Sequence, residues 1–176
     1  MHRLTATLAA TLIALPGIAQ AAEVPCLTST EFASLSSYAL PSVIRGTAQT
    51  CAAVLPGDAF LRKGSDQLAN RYDASKIAAW PGAKAAFLKI GGSTNPQAAD
   101  LFKIMPDETL QPMLDSLIQG MVGQQLPTDR CTAVDRLVLL LSPLPAASTA
   151  ELIGLAAGLG AKGGKARIGQ FSICTA

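Results

Sequence analysis

Along most of this chain, apolar residues recur at three- and four-residue spacing, the period of an amphipathic helix, and proline and glycine cut the pattern into short segments. Thr28-Ser29-Thr30-Glu31 reads as a capping box, in which Thr28 and Glu31 each satisfy a free amide, with Leu27 and Phe32 flanking it as a hydrophobic staple. The pattern predicts that this helix ends near Tyr38 and that a second starts with Pro41 in its first turn. There Ile44, Thr47, Ala48, Cys51, Ala52 and Leu55 share a face that buries Cys51, and Pro56-Gly57 ends the segment. A third helix is expected from Ser65 to Trp80, with Leu68, Tyr72 and Ile77 inward. Pro81 then restarts the chain as an Ala-rich helix to Ile90, which Gly91-Gly92 stops.

Asn95-Pro96 pairs an N-cap with a first-turn proline and opens a short helix through Leu101, Phe102 and Ile104. The clearest periodicity follows Pro106: Leu110, Met113, Leu114, Leu117, Ile118, Met121 and Val122 form one apolar stripe. Asp107 and Glu108 stand at its start, where the helix dipole favours negative charge. Thr128 is expected to cap a helix carrying Cys131, Val134, Leu137, Val138 and Leu141, which Pro143 and Pro145 break. Ser148-Thr149-Ala150-Glu151 reads as a second capping box, ahead of Leu152, Ile153, Leu155 and Leu159. After Gly160 the chain is rich in Gly and Lys and ends in an extended or irregular tail. The expected fold class is all-α, a compact bundle of about seven short helices with an irregular, cysteine-pinned C-terminal tail.

The first residues change the compartment. Met1-His2-Arg3, an apolar run from Leu4 to Leu15, the helix breaker Pro16-Gly17 and the small-x-small triplet Ala19-Gln20-Ala21 make the three parts of a secretory signal peptide. The expected organisation is a signal peptide over residues 1–21, cut between Ala21 and Ala22, and a single helical domain over 22–176. The apolar run falls short of the roughly 20 residues a span requires, so no transmembrane segment is expected in the mature protein. Val24-Pro25 before Cys26 is no lipoprotein box. Bacterial Sec-type export to the periplasm or the medium follows.

Removing the leader takes Arg3 with it and leaves thirteen Lys and Arg against twelve Asp and Glu. No dense basic face is visible, so nucleic acid is not an expected partner. Lys162, Lys165 and Arg167 read as a solvated tail.

Cys26, Cys51, Cys131 and Cys174 are an even set, all beyond the leader. In an oxidising compartment they are expected to form two disulfides. An antiparallel hairpin of the first two helices would bring Cys26 beside Cys51, which favours Cys26–Cys51 and leaves Cys131–Cys174. No close C-x-x-C pair suggests a redox site.

The only histidine is His2, inside the leader. A mature chain without histidine has no base for Ser-His-Asp or Cys-His catalysis and no imidazole for the usual zinc and iron sites. Three carboxylates are candidates for glycan hydrolysis: Asp107 and Glu108, the only adjacent acidic pair, and Glu31. Their simpler roles are helix-start charges and a capping box. Trp80, the sole tryptophan, is expected in the core or at a helix junction. Gly158 to Lys165 lacks the glycine and the Ser or Thr of a phosphate loop. Gly154 and Gly158 suggest close packing on a neighbour. Met105, Met113 and Met121 suggest ordinary core, with a methionine-lined groove as the alternative. No catalytic, cofactor-binding or metal residue is assigned, and no cofactor is expected. What remains is an exported, disulfide-stabilised, non-enzymatic binding protein of the cell envelope whose partner is a protein or another envelope component. The alternatives are a carrier of a small apolar ligand and a carboxylate-dependent cell-wall glycan hydrolase.

Overall fold

A computed structural model describes residues 26–159, 167–168 and 171–174. The leader expected over residues 1–21, its cut at Ala21–Ala22, and most of the Gly158–Lys165 segment lie outside the described residues. Among those residues the protein is all-α apart from a minute sheet. It comprises β1 (Cys26–Leu27), α1 (Ser29–Cys51), α2 (Phe60–Lys63), α3 (Ser65–Asp73), α4 (Lys76–Thr94), α5 (Pro96–Ile104) and α6 (Asp107–Gln125). A 3-10 turn (Thr128–Arg130), α7 (Cys131–Leu141), α8 (Ala146–Leu159), β2 (Arg167–Ile168) and β3 (Phe171–Ile173) complete it.

The capping box forms as its residues dictate: Glu31 N donates to Thr28 Oγ1 at 3.1 Å, and Thr28 N to Glu31 Oε2 at 2.7 Å. The helix it starts does not stop at Tyr38. It runs unbroken for 23 residues with Pro41 inside it and buried. An interior proline costs a helix about 3 kcal/mol, and here packing outweighs that cost. Each of the four apolar clusters of the core contains a residue of α1: Leu40 and Ile44, Tyr38, Cys51, and Phe32. The helices α3, α4, α6 and α8 lie around it. A break at residue 41 would split all this packing.

The register of α1 on α6 can be read from their contacts. Tyr38 Oη donates to the Gln111 carbonyl at 3.3 Å, and Ser42 Oγ to Asp115 Oδ1 at 2.8 Å. One turn further on, Gly46 lies against Gln119, so close that an added Cβ would be 3.0 Å from Gln119 Cα. The two helices are therefore parallel, and glycine is what lets their backbones touch.

The continuity of α1 also corrects the expected disulfides. At 1.5 Å per residue, a helix of this length sets its ends about 35 Å apart, whereas bridged Cα atoms stand within about 7 Å. Cys26 before α1 and Cys51 at its end cannot meet. The bridges are Cys26–Cys174, with Cα atoms 5.0 Å apart, and Cys51–Cys131, at 5.5 Å. Neither Cys26–Cys51 nor Cys131–Cys174 forms.

Other boundaries move for local reasons. The helix expected over 65–80 breaks after Asp73, because Ser75 turns its hydroxyl and its amide onto the Tyr72 carbonyl, at 2.6 and 3.0 Å. Pro81 and Gly91-Gly92 then lie inside α4, and the glycine pair faces Ala99 of α5. Asn95 caps α5 as expected, accepting from Ala98 N at 3.1 Å. Thr128 opens the 3-10 turn instead of capping α7, and Ser148 lies inside α8, whose first turn hangs on the Pro145 carbonyl through Thr149 N at 3.0 Å. The tail is pinned by its cysteine as expected, and its described residues include two short extended strands. β3 is the central strand of the order β1-β3-β2, parallel to β1 with Cys26 opposite Ser172, and antiparallel to β2.

Candidate functional site

Two of the three candidate carboxylates, Glu31 and Asp107, are engaged in structural contacts. Glu31 serves the capping box and also receives Lys89 Nζ at 2.9 Å. The Thr28 amide, more than the Lys89 ammonium, holds its carboxyl below the usual range against the opposing effect of burial. Asp107, at the start of α6, pairs with Lys84 of α4 at 2.6 Å. The Lys84 ammonium, as the largest cause, holds the Asp107 carboxyl below its ordinary value. Glu108 is exposed. The fold ties Glu31 and Asp107 to separate lysines, and no contact brings these carboxylates together.

Trp80 is in the core, 7% exposed, with its ring 5.0 Å from that of Tyr38. Its indole N–H is buried and has no hydrogen-bond partner.

One polar cluster among the described residues was not legible in the sequence. Asp115 of α6 accepts from Ser42 Oγ and from Lys76 Nζ, the latter at 2.7 and 2.6 Å to its two oxygens. The Lys76 ammonium also lies 4.5 Å from the centre of the Tyr38 ring. Burial first, and the Asp115 charge second, push the Tyr38 phenol upward, so it stays neutral and donates. Serine, lysine and tyrosine together suggest nucleophilic chemistry, but the geometry argues for a clamp. Ser42 is 1% exposed and its hydroxyl is spent on Asp115, so no substrate atom can approach it. A second clamp links α1 to α3: Arg45 reaches Asp73 at 2.5 Å and Asn70 at 2.8 Å, and Asp73 raises the guanidinium further above its ordinary value.

Among the described residues, two of the surface grooves have mixed polar and apolar walls. One, of about 490 Å³, has Leu55, Ala59, Phe60 and Leu139 among its walls and Asp58, Lys63 and Asp135 among its polar groups. The other, of about 450 Å³, lies between Arg71, Tyr72 and the Pro143–Ala146 turn. Beside the second, Tyr72 Oη donates to the Leu144 carbonyl at 2.8 Å and lies 3.1 Å from Thr149 Oγ1. Neither groove is lined by Glu31, Asp107 or Glu108. Among the described residues, no group of three or more His, Cys, Asp or Glu is placed to hold a metal ion.

The feature that remains is apolar and faces outward. On α6, Leu110, Leu114 and Ile118 are buried, whereas Met113, Leu117 and Met121 are 36%, 49% and 43% exposed. Met113 and Met121 are thus corrected from core to surface, and only Met105 of the three methionines packs against the core. On α7 Leu137 and Leu140, and on α8 Leu152 and Leu155, are exposed at three-residue spacing; Ile77, expected inward, is 87% exposed. The sequence signal was present but ambiguous. At about 100° per residue the α6 stripe covers about half the helix circumference, wider than one neighbour needs. Gly154 packs as expected, with Phe32 Cε1 3.3 Å from where its Cβ would stand.

Among the described residues, no helix is long and apolar enough to cross a membrane. Comparison with family models, curated proteins and solved structures finds no match to this chain.

Proposed function

We propose that this chain is an exported, non-enzymatic binding domain that takes a protein or another envelope component on a helical surface. The observation that carries the reading is the outward stripe of α6, Met113, Leu117 and Met121. Exposed apolar side chains scattered singly are ordinary, but a row of them at helical spacing marks a contact surface. From Ser116 to Gln125 the helix has no charged residue, which suits a partner that is itself neutral and apolar at the contact. Methionine adapts its shape to such a partner more readily than branched side chains do.

Two paired disulfides support export, because such bridges persist in oxidising compartments and are rare in the cytosol.

The test places a photo-crosslinking amino acid at Leu117 in the full chain expressed in its native host, with Gln67 on α3 as the control. The proposal expects one reproducible adduct from Leu117 and none from Gln67. Absence of adducts, or the same adducts from both sites, would refute it.

A further inference from the structure

The two disulfides sit in different surroundings. Cys51 and Cys131 are 0% and 1% exposed, inside the cluster with Leu55, Ala59 and Leu61. Cys26 and Cys174 are both partly exposed. Thiol–disulfide exchange requires a thiolate to reach a sulfur atom, so access separates the bridges before any difference in chemistry does.

What the outer bridge holds is also distinct. It ties β3 to β1, a contact made by two register pairs, Cys26 with Ser172 and Leu27 with Ile173, and by Cys174 N donating to the Leu27 carbonyl at 2.8 Å. Ile173 rests on the cluster of Leu27, Phe32 and Ala86. Leu27 and Ala86 are completely buried and Phe32 is 6% exposed. A two-residue parallel ladder is far too short to hold by itself. The bridge joins residues 148 apart in sequence, so its entropic effect acts on the unfolded chain, while in the folded protein its direct hold is on β3. The Cys51–Cys131 bridge, at the other end of α1, is untouched by that cut.

We infer that Cys26–Cys174 is a reducible clasp: its selective opening frees β3 and uncovers an apolar patch around Leu27 and Phe32, while Cys51–Cys131 and the α1-centred bundle stay intact. The co-reactant is a dithiol. One of its thiolates attacks a sulfur of the bridge, forming a mixed disulfide and expelling the other cysteine as a thiolate, which takes up a proton. The second thiol of the reductant then displaces the first cysteine. Two electrons and two protons pass to Cys26 and Cys174, and the dithiol becomes a disulfide.

The experiment titrates the oxidised protein with dithiothreitol, traps thiols by alkylation and maps them by mass, with amide exchange followed on the same samples. The expected result is alkylation of Cys26 and Cys174 at a reductant concentration at least tenfold below that for Cys51 and Cys131. Exchange at Cys174 should then accelerate at least tenfold, an apolar dye should bind, and the middle of α1 should keep its protection. The double variant C26S/C174S should bind the dye without reductant. Simultaneous reduction of both bridges overturns the clasp. So does global loss of protection at the first reduction, or an outer bridge that opens while Cys174 stays protected and no dye binds.

Discussion

Adding the same single methyl group to this protein should have opposite effects at two glycines. Gly46 sits in α1 where an added Cβ would lie 3.0 Å from Gln119 Cα, 3.1 Å from its carbonyl oxygen and 3.2 Å from Val122 Cβ. Two of those atoms are helix backbone, so relief requires α1 and α6 to move apart, which also loosens the Ser42–Asp115 and Tyr38–Gln111 hydrogen bonds one and two turns away. Overpacking of a core costs about 1–3 kcal/mol, and this contact belongs at the upper end. Replacing glycine by alanine within a helix returns about 1 kcal/mol. The clash wins, and Gly46→Ala should destabilise by about 1–2 kcal/mol, a fall in Tm of about 3–6 °C for a domain of this size. Gly120 is exposed within α6 with nothing near its added Cβ. Gly120→Ala therefore keeps only the propensity gain and should raise Tm by about 2–4 °C. Thermal unfolding of the oxidised protein, followed by circular dichroism, reads both. A Gly46→Ala protein as stable as the parent would refute the close parallel approach of α1 and α6.

Tyr72→Phe should cost about 1–2 kcal/mol, because it leaves Thr149, which is buried, and the Leu144 carbonyl without the phenol; a shift of the urea midpoint with an unchanged m-value would show it. Glu31 and Asp107 are both held below the ordinary carboxylate range in the folded state. Their contribution to stability is therefore complete above the unfolded value of about 4 and is lost as pH falls through the folded values. Tm measured from pH 7 down to pH 2 should drop steeply at the acid end, and less steeply in Glu31→Gln.

The sequence carried local instructions well where they act alone. The Thr28–Glu31 box, the Asn95-Pro96 start of α5 and the acidic start of α6 stand where local rules put them. It failed where a local preference meets tertiary packing. Pro41 is a strong breaker by itself, yet four surrounding helices need an intact α1, and no local rule carries that information. The disulfides follow from the same continuity, since a Cys26–Cys51 pair needs a hairpin that Pro41 does not make. Periodicity likewise identified the apolar arc of α6 but not which half of it has a neighbour. Leu114 and Leu117 are equivalent in the sequence pattern, and only the placement of the other helices buries one and exposes the other. The Ser42–Lys76–Asp115 clamp draws on three helices, a juxtaposition no sequence spacing announces.

The whole arrangement, an unbroken α1 with a bridge at each end, is tested most directly by mass mapping of peptides from native protein digested without reduction. The account predicts disulfide-linked pairs Cys26–Cys174 and Cys51–Cys131 with no free thiol. A Cys26–Cys51 peptide would contradict it, because those residues can join only if α1 is broken.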